Sequence, residues 1–361
     1  MATLTGRLLG SASSSFRRKT RTMSTFLGLA FRSHGSPRDV LAPRSFPRLG
    51  DIGRDAVRCD VIASSVNPAD VNTVEGVYPL RPAPREGGFS IGGNEGVMRV
   101  TEVGSDVRGV RVGDVCVPKN APNLGLWAEE VIAPSTAVQV VVEGDRASAI
   151  PLEKLRDLSC LSVCFMTAER LLRDFGDLRE GDFVIQNGAT SAVGQAVIQL
   201  CRERRLRSIN LVRDVAKSSN YLKALGGDIV TDVRNVKEVC RELGIQAKVA
   251  FNCVGGESSS ALAKRLEAGG TMVTYGGMSK QPVVCPTPLM IFKNIKSVGF
   301  WLSGRDGSKC SATETEGTTS YLVEKVLEGK LGVRTSIVPF SKAMTAFTEQ
   351  HEGKVVFDMA Q

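Results

Sequence analysis

The chain contains 361 residues, of which 42% are hydrophobic and 23% are charged. This length exceeds that of one ordinary core, so two domains are expected, and the composition is typical of a soluble globular protein. No uninterrupted apolar run approaches the roughly 18 residues that a membrane span needs. The only two histidines are His34 and His351, and the nine cysteines form no Cys-x-x-Cys pair, which argues against a multi-histidine or paired-cysteine metal site.

The first 22 residues differ from the rest of the chain. They contain five basic residues and many Ser and Thr, whereas the first acidic residue of the chain is Asp39. Leaders that are rich in Arg and Ser and poor in acidic residues are typical of organelle transit peptides, so we expect residues 1–22 to be one. A disordered basic tail is the alternative. Without these five charges the formal net charge of +8 falls to +3, which argues against a nucleic-acid partner.

From Phe26 onward the pattern predicts a β-rich part. A turn is predicted over 33–37, one or two helical turns over 69–75, and a helix over 158–172 that connects this part to the next. Short strands punctuated by Gly and Pro suggest a small β-barrel rather than a parallel sheet. The predicted strands cover residues 26–31, 60–66, 97–103, 110–117, 127–132 and 137–142.

Residues 182–214 have the order of a dinucleotide-binding βαβ unit. An apolar strand is followed by a loop of small residues over 187–194, an apolar-faced helix and a second strand. Small residues allow the backbone to approach a pyrophosphate, and the helix directs its N-terminal N–H groups toward the phosphate charge. The glycine pattern is incomplete, because Gly188 and Gly194 flank Ser191 and Ala192. An ordinary strand-to-helix turn is therefore the alternative.

The cofactor preference depends on the residue roughly 20 positions past this loop, at the end of the second strand. Arg213 stands there, followed by Asp214. An arginine accommodates the 2′-phosphate of NADP, whereas an acidic residue favours NAD. We favour NADPH, with NAD left open by the adjacent aspartate.

The alternation of strands and helices continues to residue 301. Six strands alternating with helices predict a doubly wound parallel sheet. Ser258 or a neighbouring serine is expected to be the N-cap of the helix over 258–267. Residues 304–317 look like a loop, and the last segments are too few to fold alone, so they should rejoin the first domain. The predicted helices are 218–225, 236–243, 258–267, 289–293, 318–327 and 342–350, and the predicted strands are 228–230, 248–253, 271–275, 296–301 and 355–359.

Six motifs stand out along the chain. They are Asn67-Pro-Ala-Asp70, Gly76-Val-Tyr-Pro79, Gly92-Gly-Asn-Glu-Gly96, Gln186-Asn-Gly-Ala-Thr-Ser-Ala-Val-Gly194-Gln195, Tyr275-Gly-Gly-Met278 and Gly299-Phe-Trp-Leu302. Together they resemble the mitochondrial trans-2-enoyl-thioester reductases of the medium-chain dehydrogenase/reductase superfamily, and the resemblance covers the chain from about residue 24 to residue 361. General quinone reductases share the fold but not the last two of these motifs.

The resemblance implies an α/β protein in which a doubly wound (Rossmann) nucleotide domain is inserted in a β-rich, GroES-like catalytic domain. The expected parts are a transit peptide (1–22), the first catalytic part (23–158), the NADPH domain (159–303) and the second catalytic part (304–361). It also implies a homodimer that reduces trans-2-enoyl thioesters of acyl-carrier protein or CoA with NADPH in mitochondrial type II fatty acid synthesis. The mitochondrial matrix is the expected location, with a plastid-type organelle as the alternative.

The same resemblance implies the site residues. Tyr78 takes the place of the catalytic tyrosine, whose phenol would donate to the oxyanion that develops on the thioester and serve as, or relay, a proton. A packing tyrosine is the alternative. No zinc is expected, because the Cys and His ligands of the zinc-dependent branch are missing. The residues implied to bind the cofactor are Asn187, Ser191, Ala192, Val193, Gly194, Arg213, Asp214, Tyr275, Gly276, Gly277, Met278, Phe300, Trp301, Leu302 and Lys354.

Two departures from the family pattern and two rival functions remain. Ala192 replaces the family's usual glycine, and the segment between Tyr78 and Gly92 is longer than usual. For Phe300, Trp301 and Leu302, core packing is an alternative to a role in the site. The rival enzyme is an NADPH:quinone reductase on the same scaffold, and the rival from another class is a non-catalytic NADPH-binding protein.

Overall fold

The structure, a computed structural model, describes residues 25–48, 50–119, 123–304 and 312–359. The predicted transit peptide (1–22) lies outside this part of the chain. Within the described residues, no helix is long and apolar enough to cross a membrane.

The first part of the chain is rich in β-strands, as predicted. Strand β1 pairs antiparallel with β2 and β4 in a three-stranded sheet. The strands of this part are β1 (Thr25–Phe31), β2 (Ala42–Pro47), β3 (Ala56–Ser65), β4 (Ser90–Ile91), β5 (Gly96–Val103), β6 (Val115–Pro118), β7 (Glu130–Pro134) and β8 (Val138–Val142). Its helices are α1 (Pro37–Val40), α2 (Pro68–Glu75), α3 (Gly144–Ala147), α4 (Leu152–Asp157) and α5 (Met166–Asp174).

The middle of the chain forms a parallel sheet in the order β11-β10-β9-β12-β13-β14, which confirms the doubly wound prediction. Its strand order reverses between β9 and β12. The strands are β9 (Phe183–Gln186), β10 (Arg207–Leu211), β11 (Ile229–Thr231), β12 (Ala247–Asn252), β13 (Leu266–Thr274) and β14 (Lys296–Gly299). The helices are α6 (Ala192–Glu203), α7 (Val215–Ala224), α8 (Val236–Glu242), α9 (Gly256–Ala263) and α10 (Thr287–Phe292).

The last segments rejoin the β-rich part, as expected. They comprise α11 (Ala312–Leu327), β15 (Thr335–Pro339), α12 (Thr345–Thr348) and β16 (Lys354–Asp358). Strand β16 pairs antiparallel with β3 and completes a sheet in the order β15-β16-β3-β5-β6-β8, with β7 also paired to β3. Leu322 and Val326 of α11 pack into a core cluster with Phe165 and Phe251, so the two parts share one hydrophobic interior.

Three local predictions were wrong. Helix α9 begins after Gly255, which has φ +87°, so no serine is its N-cap. The Asn252 side chain accepts the N–H groups of Val254 and Gly255 and holds this turn, which explains why the helix starts before the serines. The helix also ends at Ala263, and residue 267 belongs to β13. Finally, part of the predicted loop 304–317 is helical, since α11 begins at Ala312.

Other elements were missed or only partly matched. Strands β2 and β15 were not predicted, because each holds few consecutive apolar residues. The predicted helix 342–350 is a 3₁₀ turn followed by the four-residue α12. The predicted connecting helix 158–172 consists of a 3₁₀ turn (Leu158–Cys160), a π-helical turn (Leu161–Phe165) and then α5.

Candidate active site

Tyr78 is positioned by the end of helix α2. Asn67 and Asp70 form a capping box at its N-terminus, and the Asn67 N–H donates to Asp70 Oδ2 at 2.7 Å. The helix ends at Gly76, which is left-handed with φ +79°, and a Cβ there would lie 2.7 Å from the His34 ring. Only glycine fits this turn. Two residues later, the Tyr78 N–H donates to the Asn72 carbonyl, so the backbone that carries the phenol is held.

The Tyr78 hydroxyl meets Trp301 from the nucleotide-binding part of the chain. Trp301 Nε1–H donates to the Tyr78 hydroxyl oxygen at 2.8 Å, and the two rings meet edge to face with centroids 6.0 Å apart. The indole is 40% exposed, and the phenol is half-buried. These two predicted site residues, 223 positions apart in sequence, therefore meet where both side chains are partly accessible.

The neighbours of Trp301 face the other way. Phe300 stacks edge to face against Phe175 at 5.6 Å, and both Phe300 and Leu302 pack against the main core cluster. Side chains alternate between the two sides of an extended segment, which explains why Trp301 turns out while its neighbours turn in. In this structure the core-packing alternative applies to Phe300 and Leu302, and the cofactor contact predicted for them stays a prediction.

Most of the residues predicted around the cofactor lie along one edge of the parallel sheet. Asn187 follows β9, Arg213 follows β10, Tyr275 follows β13 and Trp301 follows β14. The carboxyl ends of parallel strands share an edge, and ligands of such sheets bind there, at the point where the strand order reverses. The strand order thus places these four residues at the same edge of the sheet.

The loop between β9 and α6 makes a tight turn into the helix. Gly188 has φ +60°, and a Cβ at Gly194 would lie 2.7 Å from the Ala189 Cα. Ser191 is the N-cap of α6, and its hydroxyl accepts the Gly194 N–H at 3.1 Å. Ala192 begins α6, so the family's missing glycine leaves the helix start intact. The loop and the twelve-residue helix behind it can hold an anion.

The side chain of Asn187 is occupied within the protein. Its amide donates to Asn252 Oδ1 at 2.8 Å and to Ser258 Oγ at 3.1 Å, and its carbonyl accepts the Cys253 N–H at 2.8 Å. These bonds tie the carboxyl ends of β9 and β12 together. Asn187 therefore shapes the crevice at the strand reversal, and any contact with a cofactor would come through its backbone.

Tyr275 presents a buried polar atom that the protein itself leaves unpaired. Its hydroxyl oxygen is buried and has no hydrogen-bond partner among the described residues, although Ser191 and Cys253 lie close by. Burial raises the pKa of Tyr275 well above its usual value. Beyond it, Gly276 lies against Cys253, and Met278 is 60% exposed. A buried donor that is free to bond favours a polar ligand beside the phosphate loop.

Arg213 and Asp214, which stand after β10 where dinucleotide-binding proteins contact the ribose, have different roles. Arg213 is exposed and makes no ion pair with a carboxylate of the described residues. Asp214 is the N-cap of α7, where its Oδ1 accepts the Lys217 N–H at 3.0 Å. Because the Asp214 carboxylate completes a helix, the free cation at this position is Arg213, which fits a phosphate better than a ribose hydroxyl.

Lys354 is buried at the start of β16, inside a polar cluster that sequence reasoning did not identify as part of the site. Its ammonium donates to Asn67 Oδ1, and the Asn67 amide donates to Glu95 Oε2 at 2.9 Å. Burial lowers the pKa of Lys354, but the neighbouring Cys164, Glu95 and Asp70 raise it more, so the net pKa is raised. We name Asn67, Asp70, Glu95 and Lys354 the buried polar cluster.

Burial raises the pKa of Asp70 to about 6, against the opposing effects of the Asn67 N–H and Lys354. Its Oδ1 also accepts the backbone and side-chain N–H groups of Asn94, at 2.9 and 2.7 Å. Asp70 therefore joins the helix that leads to Tyr78 to the loop that carries Glu95. The sequence signal for this cluster was present in the two motifs that contain Asn67, Asp70, Asn94 and Glu95.

Glu95 also explains the irregular connecting helix. Its Oε1 accepts the N–H groups of Val163 and Cys164, at 2.6 and 2.9 Å, and its Oε2 accepts the Ser65 hydroxyl at 2.7 Å. The π-helical turn exposes these amides, and the carboxylate satisfies them. Such turns are frequent at functional sites. The cluster thus fastens the helix that leads into the nucleotide-binding part.

The described residues contain no group of three or more His, Cys, Asp or Glu side chains that could hold a metal ion. The donor set of the buried polar cluster is two carboxylates, an amide and an ammonium, and an ammonium repels a cation. These residues do not fit zinc.

Comparison with family models places the fold. Residues 53–143 match the alcohol dehydrogenase GroES-like domain, and residues 192–315 match the zinc-binding dehydrogenase family. A quinone oxidoreductase from Pseudomonas syringae shares the fold, with a TM-score of 0.76 at 20% identity over 92% of this chain and 99% of that one. At this identity the likeness concerns the fold alone.

More specific relatives exist. The mitochondrial enoyl-[acyl-carrier-protein] reductase of Arabidopsis thaliana is 39% identical over 322 residues, 87% of this chain and 82% of the relative. The enzyme of the same name from Homo sapiens is 42% identical over 283 residues, with 76% and 72% covered. The structure of the Etr1p/NADP/crotonyl-CoA complex has a TM-score of 0.83 at 30% identity, covering 93% of this chain and all of that one. This chain therefore belongs to the family of mitochondrial enoyl-[acyl-carrier-protein] reductases.

Proposed function

We propose that the protein reduces trans-2-enoyl thioesters to saturated acyl thioesters with NADPH, in mitochondrial type II fatty acid synthesis. Acyl-carrier-protein thioesters are the proposed substrate, with CoA thioesters as the alternative carrier. The observation that carries this proposal is the Tyr78 hydroxyl, which accepts the Trp301 Nε1–H at 2.8 Å. The names of the family's members support the same chemistry.

The Tyr78–Trp301 geometry orients a proton. An indole N–H is a donor only, so the Tyr78 oxygen must accept in this bond. The phenol proton is therefore free to point toward a ligand, and the accepted bond makes the phenol a stronger donor.

The bound NADPH would supply a hydride to C3 of the enoyl thioester. Negative charge then moves to the thioester oxygen, and Tyr78 would donate to that oxyanion. Protonation at C2 completes the reduction, with Tyr78 as the proton source or as the first member of a relay.

The cofactor residues follow from the site. We propose that the loop 188–194 and the start of α6 hold the pyrophosphate, and that Arg213 holds the 2′-phosphate. The nicotinamide is proposed to lie beside the segment of Tyr275, Gly276, Gly277 and Met278, where the Tyr275 hydroxyl has no partner among the described residues. Lys354 is proposed to act on the cofactor through its charge. The proposed domain boundaries are those expected from the sequence, with 159–303 as the NADPH domain.

A steady-state assay with NADPH tests the function. Crotonyl-CoA and crotonyl-acyl-carrier protein should be reduced much faster than quinones. Faster turnover of quinones would support the rival reductase. Tight NADPH binding with no turnover of either class would support the non-catalytic alternative.

The cofactor proposal predicts that Arg213→Ala raises the KM for NADPH much more than that for NADH. Loss of a charge-assisted contact is worth about 1.5–3 kcal/mol, or roughly ten- to a hundred-fold in affinity. Initial rates with each nucleotide measure the ratio. Arg241→Ala is a matched control, since Arg241 lies on α8 and pairs with Glu238. An unchanged NADPH to NADH ratio in Arg213→Ala would mean that another residue binds the phosphate.

A homodimer is proposed from the edge of the parallel sheet. Strand β14 is the edge strand and is largely exposed, and the neighbouring α10 exposes Met290, Ile291 and Phe292, the last at 82%. An open edge beside large apolar side chains is typical of an interface. A solved relative is the Etr1p/Etr2p heterodimer from Candida tropicalis, with a TM-score of 0.83 at 30% identity over 93% of this chain and all of that one.

Placing a charge at this face should separate the subunits. Phe292→Asp is expected to halve the mass measured by light scattering after size exclusion, because a buried unpaired carboxylate is costly. The control is Leu243→Asp, since Leu243 is 57% exposed and follows α8 in another part of the sheet. If both variants keep the mass of the unchanged protein, the proposed interface is wrong.

The mitochondrial matrix is the proposed location, with a plastid-type organelle as the alternative. Deleting residues 1–22, with their five basic residues, should leave catalysis unchanged and move a fluorescent fusion to the cytosol. Fluorescence microscopy against markers for both organelles measures the location. Import of the shortened fusion would show that the address lies elsewhere.

A further inference from the structure

Three arginines surround the loop that follows Tyr78. The Arg44 guanidinium lies 3.7 Å from the centre of the Phe89 ring, and that of Arg32 lies 5.9 Å from the same ring. Arg85 lies 5.8 Å from the ring of Phe26. We name Arg32, Arg44 and Arg85 the arginine cluster. Its members are Arg32, which directly follows β1, Arg44 in β2 and Arg85 in the segment 79–91.

The loop is shaped to hold this arrangement. The Arg85 N–H donates to the Phe89 carbonyl at 2.6 Å and the Gly88 N–H to the Arg85 carbonyl at 3.0 Å, which closes a tight turn. Gly88 has φ +75°, and the Arg32 Nε lies 3.8 Å from the place where its Cβ would be. Stacking on Phe89 limits the rotamers of Arg32 and Arg44 and leaves their N–H groups free to bond.

The positive charge of the cluster is not balanced within the described side chains. None of the three arginines makes an ion pair with a carboxylate there. The Glu130 carboxylate acts on Arg85 from a distance, but it is already bound by Arg58 at 2.7 Å and by Arg48 at 3.1 Å. Because Arg32 and Arg44 share one ring, their guanidinium carbons lie less than 10 Å apart. Like charges at this distance repel each other, and an anion between them would relieve the repulsion.

The cluster lies beside the proposed reaction site. His34 packs against Gly76, Arg32 lies two residues before His34, and Tyr78 lies two residues after Gly76. These steps place the Cα atoms of Arg32 and Tyr78 within roughly 20 Å of each other. The pantetheine arm between a thioester and its phosphate has about as many bonds as four to five residues of backbone, so its reach is roughly 15 Å. The reach of the pantetheine arm is therefore comparable to the distance between Tyr78 and Arg32.

We propose that the arginine cluster binds the phosphate at the far end of the pantetheine arm, which CoA carries as a pyrophosphate and a carrier protein as a phosphodiester. This inference rests on the proposed reduction of enoyl thioesters. Guanidinium groups suit phosphate because their planar N–H pairs match its oxygens. The cluster would then fix the arm while Tyr78 acts at the thioester.

The experiment compares three crotonyl thioesters that share the reacting group: pantetheine without phosphate, CoA, and acyl-carrier protein. Arg32→Gln and Arg44→Gln should each lower kcat/KM about tenfold or more for the phosphate-bearing substrates, mainly through KM. Turnover of crotonyl-pantetheine should stay within twofold of the unchanged enzyme. Arg241→Gln is the control and should alter none of the three.

Each outcome decides the matter. A loss of kcat/KM for the phosphate-bearing thioesters, with crotonyl-pantetheine unaffected, supports the phosphate site. A loss for only CoA or only the carrier thioester also supports it and identifies the source of the phosphate. An equal loss for all three thioesters, or a loss for none, overturns the proposal. If the unchanged enzyme reduces none of the three, the proposed function fails instead, so the two failures can be told apart.

Discussion

Tyr78→Phe is expected to lower kcat by roughly 10² to 10³. The change removes only the hydroxyl, which the proposed mechanism uses as the donor to the oxyanion, and one such donor is worth about 2.7–4 kcal/mol. The KM for NADPH should be nearly unchanged, because the ring and its edge-to-face contact with Trp301 remain. The enolate charge exists only after hydride transfer begins, so the loss should appear in kcat rather than in KM.

A substitution of Trp301, the hydrogen-bond partner of Tyr78, tests the same mechanism independently. Trp301→Phe removes the N–H that Tyr78 accepts, and one hydrogen bond is worth about 0.5–1.5 kcal/mol, or roughly two- to tenfold in kcat. If Trp301 acts through the phenol, adding this change to Tyr78→Phe should cost almost nothing more. Single-turnover rates of the four proteins measure this coupling. A Tyr78→Phe enzyme within threefold of the unchanged kcat, with chemistry rate-limiting, would rule out Tyr78 as the donor.

Lys354→Met is expected to destabilise the protein by about 3–5 kcal/mol, the cost of leaving one side of a buried charged group without its partner. The change would remove the charged donor of Asn67 Oδ1, which would keep only the Cys164 thiol, and would leave Glu95 and Asp70 without the buried cation. Urea unfolding followed by fluorescence measures the free energy of unfolding, since the fully buried Trp127 reports on the β-rich core.

A surface lysine gives the comparison. Lys217 pairs with Glu352, and both side chains are largely exposed, so Lys217→Met should leave the free energy of unfolding nearly unchanged. NADPH affinity is measured on Lys354→Met under conditions where it is folded. Equal stability of Lys354→Met and the unchanged protein would show that the buried polar cluster does not need its cation. Unchanged NADPH affinity would remove Lys354 from the cofactor site.

Local sequence patterns predicted the nucleotide-binding half well. The alternation of short apolar strands with helices, and the small residues between Asn187 and Gly194, specify a parallel sheet and its loop, because both signals are carried by neighbouring residues. The order of strands then places Arg213 and Tyr275 at one edge. The N-cap prediction failed at Gly255 because the Asn252 side chain, three residues earlier, holds a turn that hydrophobic periodicity does not report.

The sequence by itself determined which residues stand at the ends of the strands, and the motif around Tyr78 indicated its chemistry. The tertiary structure alone decided that Tyr78 meets Trp301, and that Lys354 enters a cluster with Asn67 and Glu95. Such contacts join residues hundreds of positions apart, and they exist only once β16 has paired with β3 and the two parts share a core. Hydrophobic periodicity reports which face of an element is buried, but not which distant element covers it. The bond from Trp301 to Tyr78 and the burial of Lys354 therefore follow from packing.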